Sequence, residues 1–437
     1  MEDELDAIRS NGTWEFAALP PGDVTISLKW VFKVKKDPVG NTVKHKVRLA
    51  VNGYVQQQGV DFDEVFASVV RMETVRVLLA LAAHSGWHVH HMDVKSVFLN
   101  GDLVEEVYVH QPPSFIDPGN EHKVLRPRKA LYGLRQASRT WIAKLDGELT
   151  KLGFERSPLE HAVYRRATEA GILLVGVYVD DLVITSTDVK EIESFKEQMH
   201  HLFDMSYLGF LSYYLGIEVQ QCEGVIALCQ GTYAEKVLEQ AGMKDCNPSH
   251  TPMEHRPQLI KGDTGGDIDV TKYRSVVGSL RYLYNTRPDI THAVGNVSRH
   301  MEALGALHRA AVKQILRYVQ GTTGYGCCYK RIMEEAELVG YSNSDLAGNV
   351  SDCKSMTGVV FFLNGSLITW TSQKQKVVSV SSYEAECMAA AAAALPGHLV
   401  VPSLWRAGRE RAHDGEAIHR QQVSDCVEQE PGASRSE

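Results

Sequence analysis

The chain has 437 residues, enough for about two to four domains of ordinary size. Apolar residues make up 44% and charged residues 23%, which excludes collagenous, coiled-coil and wholly disordered classes. The sequence has no apolar run long enough to span a membrane. The acidic start MEDELDAIRS is neither a signal peptide nor an Arg-rich transit peptide. Eight scattered cysteines with no CxxC point to a reduced compartment, without a disulfide framework or structural zinc.

Net charge is −8, from 46 basic and 54 acidic residues, which by itself argues against a nucleic-acid binder. The distribution argues otherwise. Lys29, Lys33, Lys35, Lys36, Lys44, Lys46 and Arg48 crowd into one stretch with a single acid, Asp37. A second stretch, from His122 to Lys144, holds seven Lys or Arg and no acid. Such stretches are either polyanion surfaces or ordinary solvated faces.

In chain order, LKWVFKVKK (28–36) and VKHKVRLAV alternate apolar and basic residues around the turn DPVGN, which predicts a β-hairpin with one basic face. ETVRVLLALAA (73–83) predicts a helix, HVHHMDV (88–94) a strand, and DLVEEVYVHQPP a short strand stopped by Pro112 and Pro113. Residues 136–151 predict an amphipathic helix with Trp141, Leu145 and Leu149 on one face. GILLVGVYVDDLVITS is apolar on both sides of two carboxylates, and a helix over 188–203 follows, started by Asp188. The Pro, Gly, Asp and Thr content of 247–272 marks a linker. Helices are predicted over 273–286 and 290–320, then β-rich sequence from Glu337 and a strong helix former, SSYEAECMAAAAAA. The sequence beyond Ala394 has no clear periodicity.

Two adjacent Asp cannot sit unpaired inside an apolar strand, because isolated buried charge is very costly. Asp180 and Asp181 therefore belong at the tip of a turn between two strands. If the strand ending at Asp93 lies beside them, three carboxylates converge and must bind cations or take up protons. Magnesium prefers one or two carboxylates plus substrate phosphates. A pair of such ions can clamp an in-line displacement. A plain hairpin turn is the alternative for the Asp pair alone.

The context of the pair adds a resemblance. Tyr178-Val-Asp-Asp181 resembles the YVDD box of copia-type retrotransposon reverse transcriptases. His91-Met-Asp-Val-Lys-Ser-Val-Phe-Leu-Asn-Gly-Asp-Leu103 is similar to their QMDVKTAFLNGDL, and Ala130-Leu-Tyr-Gly-Leu-Arg-Gln-Ala-Ser-Arg-Thr-Trp141 to their ALYGLKQAPRAW. Lys29-Trp-Val-Phe-Lys33 and Lys46-Val-Arg-Leu-Ala50 look like their fingers hairpin. Tyr273-Arg274, Gly278-Ser-Leu280 and Thr286-Arg-Pro-Asp-Ile290 resemble the segment beyond their polymerase. Tyr341-Ser-Asn-Ser-Asp345 and Ser381-Ser-Tyr-Glu-Ala-Glu386 resemble parts of their RNase H domain. The resemblance covers residues 1–390 and includes no Gag, protease or integrase segment, so the chain looks like part of a longer Pol polyprotein.

The resemblance implies an α+β right-hand polymerase. Fingers, palm and primer grip would occupy 1–250, a linker and helical connection 251–335, and an incomplete RNase H-like domain 336–394. It implies an RNA-directed DNA polymerase acting on an RNA template, a DNA primer and deoxynucleoside triphosphates, with other element-encoded proteins as further partners and no membrane. Asp93, Asp180 and Asp181 would hold two magnesium ions. Lys46 and Arg48 would neutralise the triphosphate. Phe98 would exclude a 2′-hydroxyl, and Gln136 would contact the nucleotide. Tyr214, Leu215 and Gly216 would form the primer grip, and 122–144 would track template phosphates. An intracellular site, in a cytoplasmic particle or the nucleus, is expected.

Several positions depart from that family's pattern. Val97 replaces a small Ala beside the sugar gate and is expected to crowd the nucleotide. Asn52 stands for a Lys, Ser68 for a Pro and Leu304 for a Pro. Asn343 stands where the first RNase H acid belongs, leaving Asp345 and Glu386 as remnants. Read one base later, the codons of Ala417–Glu428 permit the family's missing acid segment. A frameshift near 388–395, a lost RNase H activity and an accidental tail over 395–437 are the expectation. Two other readings stay open: a decayed relic that binds nucleic acid without catalysis, and a non-enzymatic interaction protein built on the old fold.

Overall fold

The structure is a computed structural model that describes residues 1–36, 42–254, 259, 269–302, 304–332, 337–349 and 352–394. The expected hairpin turn DPVGN, most of the expected linker core and the whole expected tail lie outside the described residues. The first part of the chain runs α1 (Glu2–Ser10), β1 (Trp14–Ala17), β2 (Leu28–Lys36), β3 (Thr42–Val51), α2 (Met72–Ser85), β4 (Val89–Val94), β5 (Val124–Pro127), α3 (Ala137–Lys151), β6 (Glu155–Arg156), β7 (Val163–Ala167), β8 (Ile172–Tyr178), β9 (Asp181–Ser186) and α4 (Val189–Leu202). It continues through β10 (Met205–Phe210), β11 (Tyr213–Tyr214), β12 (Ile217–Cys222), β13 (Val225–Cys229), α5 (Gly231–Ala241), α6 (Val270–Leu283), α7 (Thr291–Val297), α8 (Ala306–Gln320), β14 (Gly326–Lys330), β15 (Leu338–Ser344), β16 (Met356–Leu363), β17 (Ser366–Lys374) and α9 (Ser382–Ala393).

At the centre is a six-stranded antiparallel sheet in the order β10-β4-β9-β8-β7-β6. Trp141, Leu145 and Leu149 of α3 and Ile192, Phe195 and Met199 of α4 pack on one face. Helix α2 packs on the other, with Leu78 against Ile172 and Leu174. Both faces are covered, which is why ILLVGVY and LVI carry no polar residue instead of alternating. At Gly176 an added Cβ would lie 3.1 Å from Leu78 Cδ1, so the glycine lets α2 close onto β8.

The core does not stop at residue 250. Sheet β11-β12-β13 is completed by β14, and α5 packs with α6 and α8 around Val237, Val277, Ile290 and Ile315. A further core joins α2, the β11–β14 sheet and Leu363, Ile368 and Trp370 of the C-terminal sheet β15-β16-β17. Arg76 of α2 is its polar centre. It is 3% exposed, donates to Asn285 O at 2.7 Å and Ile368 O at 3.3 Å, and lies 3.9 Å over the Trp370 ring.

Three expectations change. The stretch 102–113 forms no strand, only single bridges of Asp102 to Lys129 and of Val109 to Ile26 and Leu125. The helix expected over 290–320 is two helices, α7 ending at Val297 and α8 starting at Ala306, where Gly305 caps α8 and His308 Nδ1 accepts from its N–H at 3.0 Å. Helix α6 begins inside the expected linker, at Val270, where the Asp269 side chain accepts from Lys272 N.

Candidate functional site

The two central carboxylates sit where a two-residue turn joins β8 to β9. Tyr178 pairs with Asp181, leaving Val179 and Asp180 as the loop. Val179 has φ 55, a left-handed conformation that costs a β-branched residue on the order of 1–3 kcal/mol. Two hydrogen bonds hold the turn there. Trp141 Nε1, fully buried, donates to Val179 O at 2.7 Å, and Val94 N donates to Asp180 O at 2.9 Å. Asp93, near the end of β4, lies directly opposite Asp181 in the β4–β9 ladder. The strand register therefore brings Asp93, Asp180 and Asp181 together.

Their electrostatics fit that grouping. Burial holds the Asp93 carboxyl above its usual range, and the charges of Asp180 and Asp181 push it further up. Asp180 is raised by burial first and by Asp181 next, while its own backbone N–H, Arg48 and Lys46 pull it down. Asp181 has a partner the sequence did not disclose. His91, two residues before Asp93 on the same face of β4, places Nε2 2.8 Å from Asp181 Oδ1. Only its place in the HMDV segment, where the copia-type pattern has Gln, marks it. Among the described residues no group of three or more His, Cys, Asp or Glu forms a ready-made metal cage. Asp93 and Asp180 nevertheless share an excess of negative charge that suits a divalent cation completed by substrate phosphates.

Lys46 and Arg48 are half-buried on β3, and Lys46 lies directly across from Lys33. Like charges so paired repel, and an anion between them relieves the repulsion. Both cations act on Asp180, so the basic face of the hairpin looks toward the carboxylates. Arg48 also lies 4.3 Å over the ring of Tyr132, and the half-buried Phe98 meets that same ring edge-on at 4.9 Å. Burial pushes the Tyr132 phenol up to about 12, with Arg48 opposing and Glu4, Asp180 and Asp93 adding. Tyr132 had no role from sequence. Its presence in the ALYG segment was the available signal.

Other expected site residues face elsewhere. Gln136 is fully buried, accepts from Gln56 Nε2 at 3.1 Å and donates to Asp61 O at 3.0 Å. It braces the chain around 53–61, so its expected nucleotide contact is corrected to a structural one. Tyr214 is 2% exposed and points inward, its ring 6.1 Å from His91 and 6.5 Å from Tyr178, with its phenol raised by burial and by Asp181. Leu215 and Gly216 form the turn between β11 and β12 at φ 47 and 76, and Tyr282 Oη donates to Leu215 O. Only this half-exposed turn, and not Tyr214, is presented outward. Val97 is 2% exposed and joins the core with Met92 and Val94, so its methyl groups do not crowd the site as expected.

Four of the seven cations of the second basic stretch have acidic partners in the fold. Arg126 pairs with Glu106, Arg128 with Glu15, Arg139 with Glu64, and Lys144 with Asp102 and Glu148. In the C-terminal sheet, Asn343 is exposed on β15, and Glu386 of α9 accepts from Ser344 N at 3.0 Å. Asp345 accepts from Met356 N at 2.6 Å and fits against Gly348, where any Cβ would collide with it. Its carboxylate braces a loop.

Comparison with known proteins gives the family. The model of the family described as reverse transcriptase (RNA-dependent DNA polymerase) matches residues 11–255. The retrovirus-related Pol polyprotein from transposon TNT 1-94 of Nicotiana tabacum is 40% identical over 400 residues, covering 89% of this chain and 30% of that protein. The corresponding polyprotein from transposon RE1 of Arabidopsis thaliana is 36% identical over 387 residues, 88% of this chain and 26% of that protein. The putative transposon Ty5-1 protein of Saccharomyces cerevisiae is 33% identical over 303 residues, 68% of this chain and 98% of that protein. The chain thus spans less than a third of the two plant polyproteins. With its carboxylate turn and its matched segment of 11–255, the chain belongs to the reverse transcriptase family and is similar to the Pol polyproteins of copia-type transposons.

Proposed function

We propose that this chain synthesises DNA on an RNA or DNA template by nucleotidyl transfer. The observation that carries the proposal is Asp93 set opposite Asp181 beside the strained Val179-Asp180 turn, with Lys46 and Arg48 facing them. In this reading the six-stranded sheet is the palm, β2–β3 the fingers hairpin, the β11–β12 turn the primer grip, and α5 to α8 the thumb-like and connecting helices.

Asp93 and Asp180 would hold the two magnesium ions, with Asp181 oriented by His91 as the third carboxylate. Bound magnesium supplies Lewis acidity that lowers the pKa of the primer 3′-hydroxyl and steadies the leaving pyrophosphate. Lys46 and Arg48 bind the triphosphate oxygens and hold the α-phosphorus in line with that hydroxyl. Phe98 would exclude a 2′-hydroxyl from the incoming sugar. The template is held by its phosphates, so binding weakens with salt and is largely blind to sequence.

The C-terminal sheet is a degenerate RNase H-like unit. Asn343 offers a neutral amide where the cleavage chemistry needs a charged acid, and Asp345 is engaged elsewhere. Other element-encoded proteins, within a cytoplasmic particle or the nucleus, would supply that cleavage. Asn343 also favours a second reading, a relic that binds nucleic acid without catalysis. Primer extension on RNA and DNA templates, with and without magnesium, separates the two. Magnesium-dependent extension supports the polymerase. Salt-sensitive template binding without extension supports the relic.

A further inference from the structure

We propose that Tyr132 is a positioning residue that fixes the Phe98 ring and the Arg48 guanidinium together, and so sets both triphosphate affinity and discrimination against ribonucleotides. The inference rests on the polymerase reading above. One ring makes both contacts: Arg48 covers its face at 4.3 Å, and Phe98 meets its edge at 4.9 Å. The ring's own position is fixed by the backbone. Val51 N donates to Tyr132 O at 2.7 Å, and Gly133 comes so close that a Cβ there would collide with Val51 O. Val51 ends the strand that carries Arg48. Tyr132 is therefore clamped to β3, and the basic strand, the aromatic gate and the ring between them move as one piece.

The chemistry follows from what each group must do. A steric gate excludes a hydroxyl only if its ring cannot swing away, and Phe98 stands on a short 3-10 turn, Val97–Asn100, following Ser96 at φ 48. Arg48 must hold one direction to meet a triphosphate, and a long side chain without a partner spreads over many rotamers. An aromatic face under the guanidinium narrows that spread without neutralising the charge, unlike a carboxylate partner. The phenol stays protonated at working pH, so it adds no negative charge beside the triphosphate.

The test uses the full chain with a template–primer and compares Tyr132→Phe and Tyr132→Leu with the parent. Readouts are KM and kcat for a deoxynucleotide and the preference for deoxy- over ribonucleotide. A primer ending in a dideoxynucleotide, which cannot be extended, gives nucleotide affinity without turnover. Tyr132→Phe keeps the ring and is expected within about twofold of the parent on every readout. Tyr132→Leu is expected to raise KM and nucleotide Kd about tenfold and to lower sugar preference about tenfold, with kcat little changed. If Tyr132→Leu does not fold, Tyr132→Met carries the same expectation. A ring-less variant that folds and keeps the parental affinity and sugar preference overturns the proposal. So does one that loses kcat alone. A parent that neither extends a primer nor retains a nucleotide on the terminated primer overturns the polymerase reading itself.

Discussion

Replacing Trp141 by Phe removes one donor from the turn that carries Asp180. Phe fills most of the indole volume, but Val179 O loses its 2.7 Å partner inside the core. A buried carbonyl left unpaired costs about 1–3 kcal/mol. That is about the strain held at Val179, at φ 55. With one of two restraints gone, the turn can relax toward an unstrained conformation, leaving only Val94 N on Asp180 O. Relaxation moves the Asp180 carboxylate, and a displacement near 1 Å at a reacting centre can cost about 100-fold in rate. Trp141→Phe should therefore melt lower and extend a primer about 10- to 100-fold more slowly, with template binding retained. The double variant Val179→Gly, Trp141→Phe should melt at least as far below its own Val179→Gly parent as Trp141→Phe does below wild type, because glycine holds no strain at positive φ for relaxation to recover. Extension within twofold of the parent, in a variant that does melt lower, would show that the bond is structural and does not position Asp180.

Three further outcomes follow from the same structure. Asp93 and Asp180 are held above the ordinary aspartate value of 3.8, so the folded chain binds their protons more tightly than the unfolded chain does. Stability from these groups is present at low pH and falls as pH rises through the raised values. Asp93→Asn and Asp180→Asn should accordingly melt higher than the parent near pH 7 without metal, with the gap closing below about pH 4. A lower melting temperature at neutral pH would contradict the charge-crowding argument. The pair Lys46→Ala, Arg48→Ala should raise the KM for nucleotide, since a charge-assisted contact is worth about 1.5–3 kcal/mol; an unchanged KM would return both to an ordinary solvated face. Arg76→Leu orphans the carbonyls of Asn285 and Ile368 and uncovers Trp370. It should cost on the order of 3 kcal/mol by thermal or denaturant melting, and a loss below about 1 kcal/mol would show that the C-terminal sheet is not tied in through this residue.

What was legible in the sequence follows from which interactions are local. The basic hairpin, the helix from Met72 to Ser85 and the Asp188-capped helix announce themselves through period and caps. The Asp180-Asp181 pair is legible because an apolar strand cannot absorb it, and the strand register then supplies Asp93. The His91–Asp181 contact is not legible, since it links diagonal positions of strands that lie far apart in the chain. Arg126, Arg128 and Arg139 read as free positive charge only until Glu106, Glu15 and Glu64 are folded against them. Gln136 and Tyr214 sit in matching motifs, but a motif does not say which way a side chain faces. Arg76 is plain in the sequence as one charge in an apolar helix, yet its carbonyl partners lie more than two hundred residues away.

The central claim is that templated synthesis runs through the carboxylates at this turn. The most direct measurement compares the parent with Asp180→Asn in magnesium-dependent extension of a DNA primer on RNA, alongside template–primer binding by titration in salt. The account predicts extension by the parent, none by Asp180→Asn, and template–primer affinities that agree within about twofold, since the substitution removes a ligand and a charge at the reacting centre and leaves the phosphate contacts in place. Extension by Asp180→Asn near the parental rate would contradict the assignment of the site.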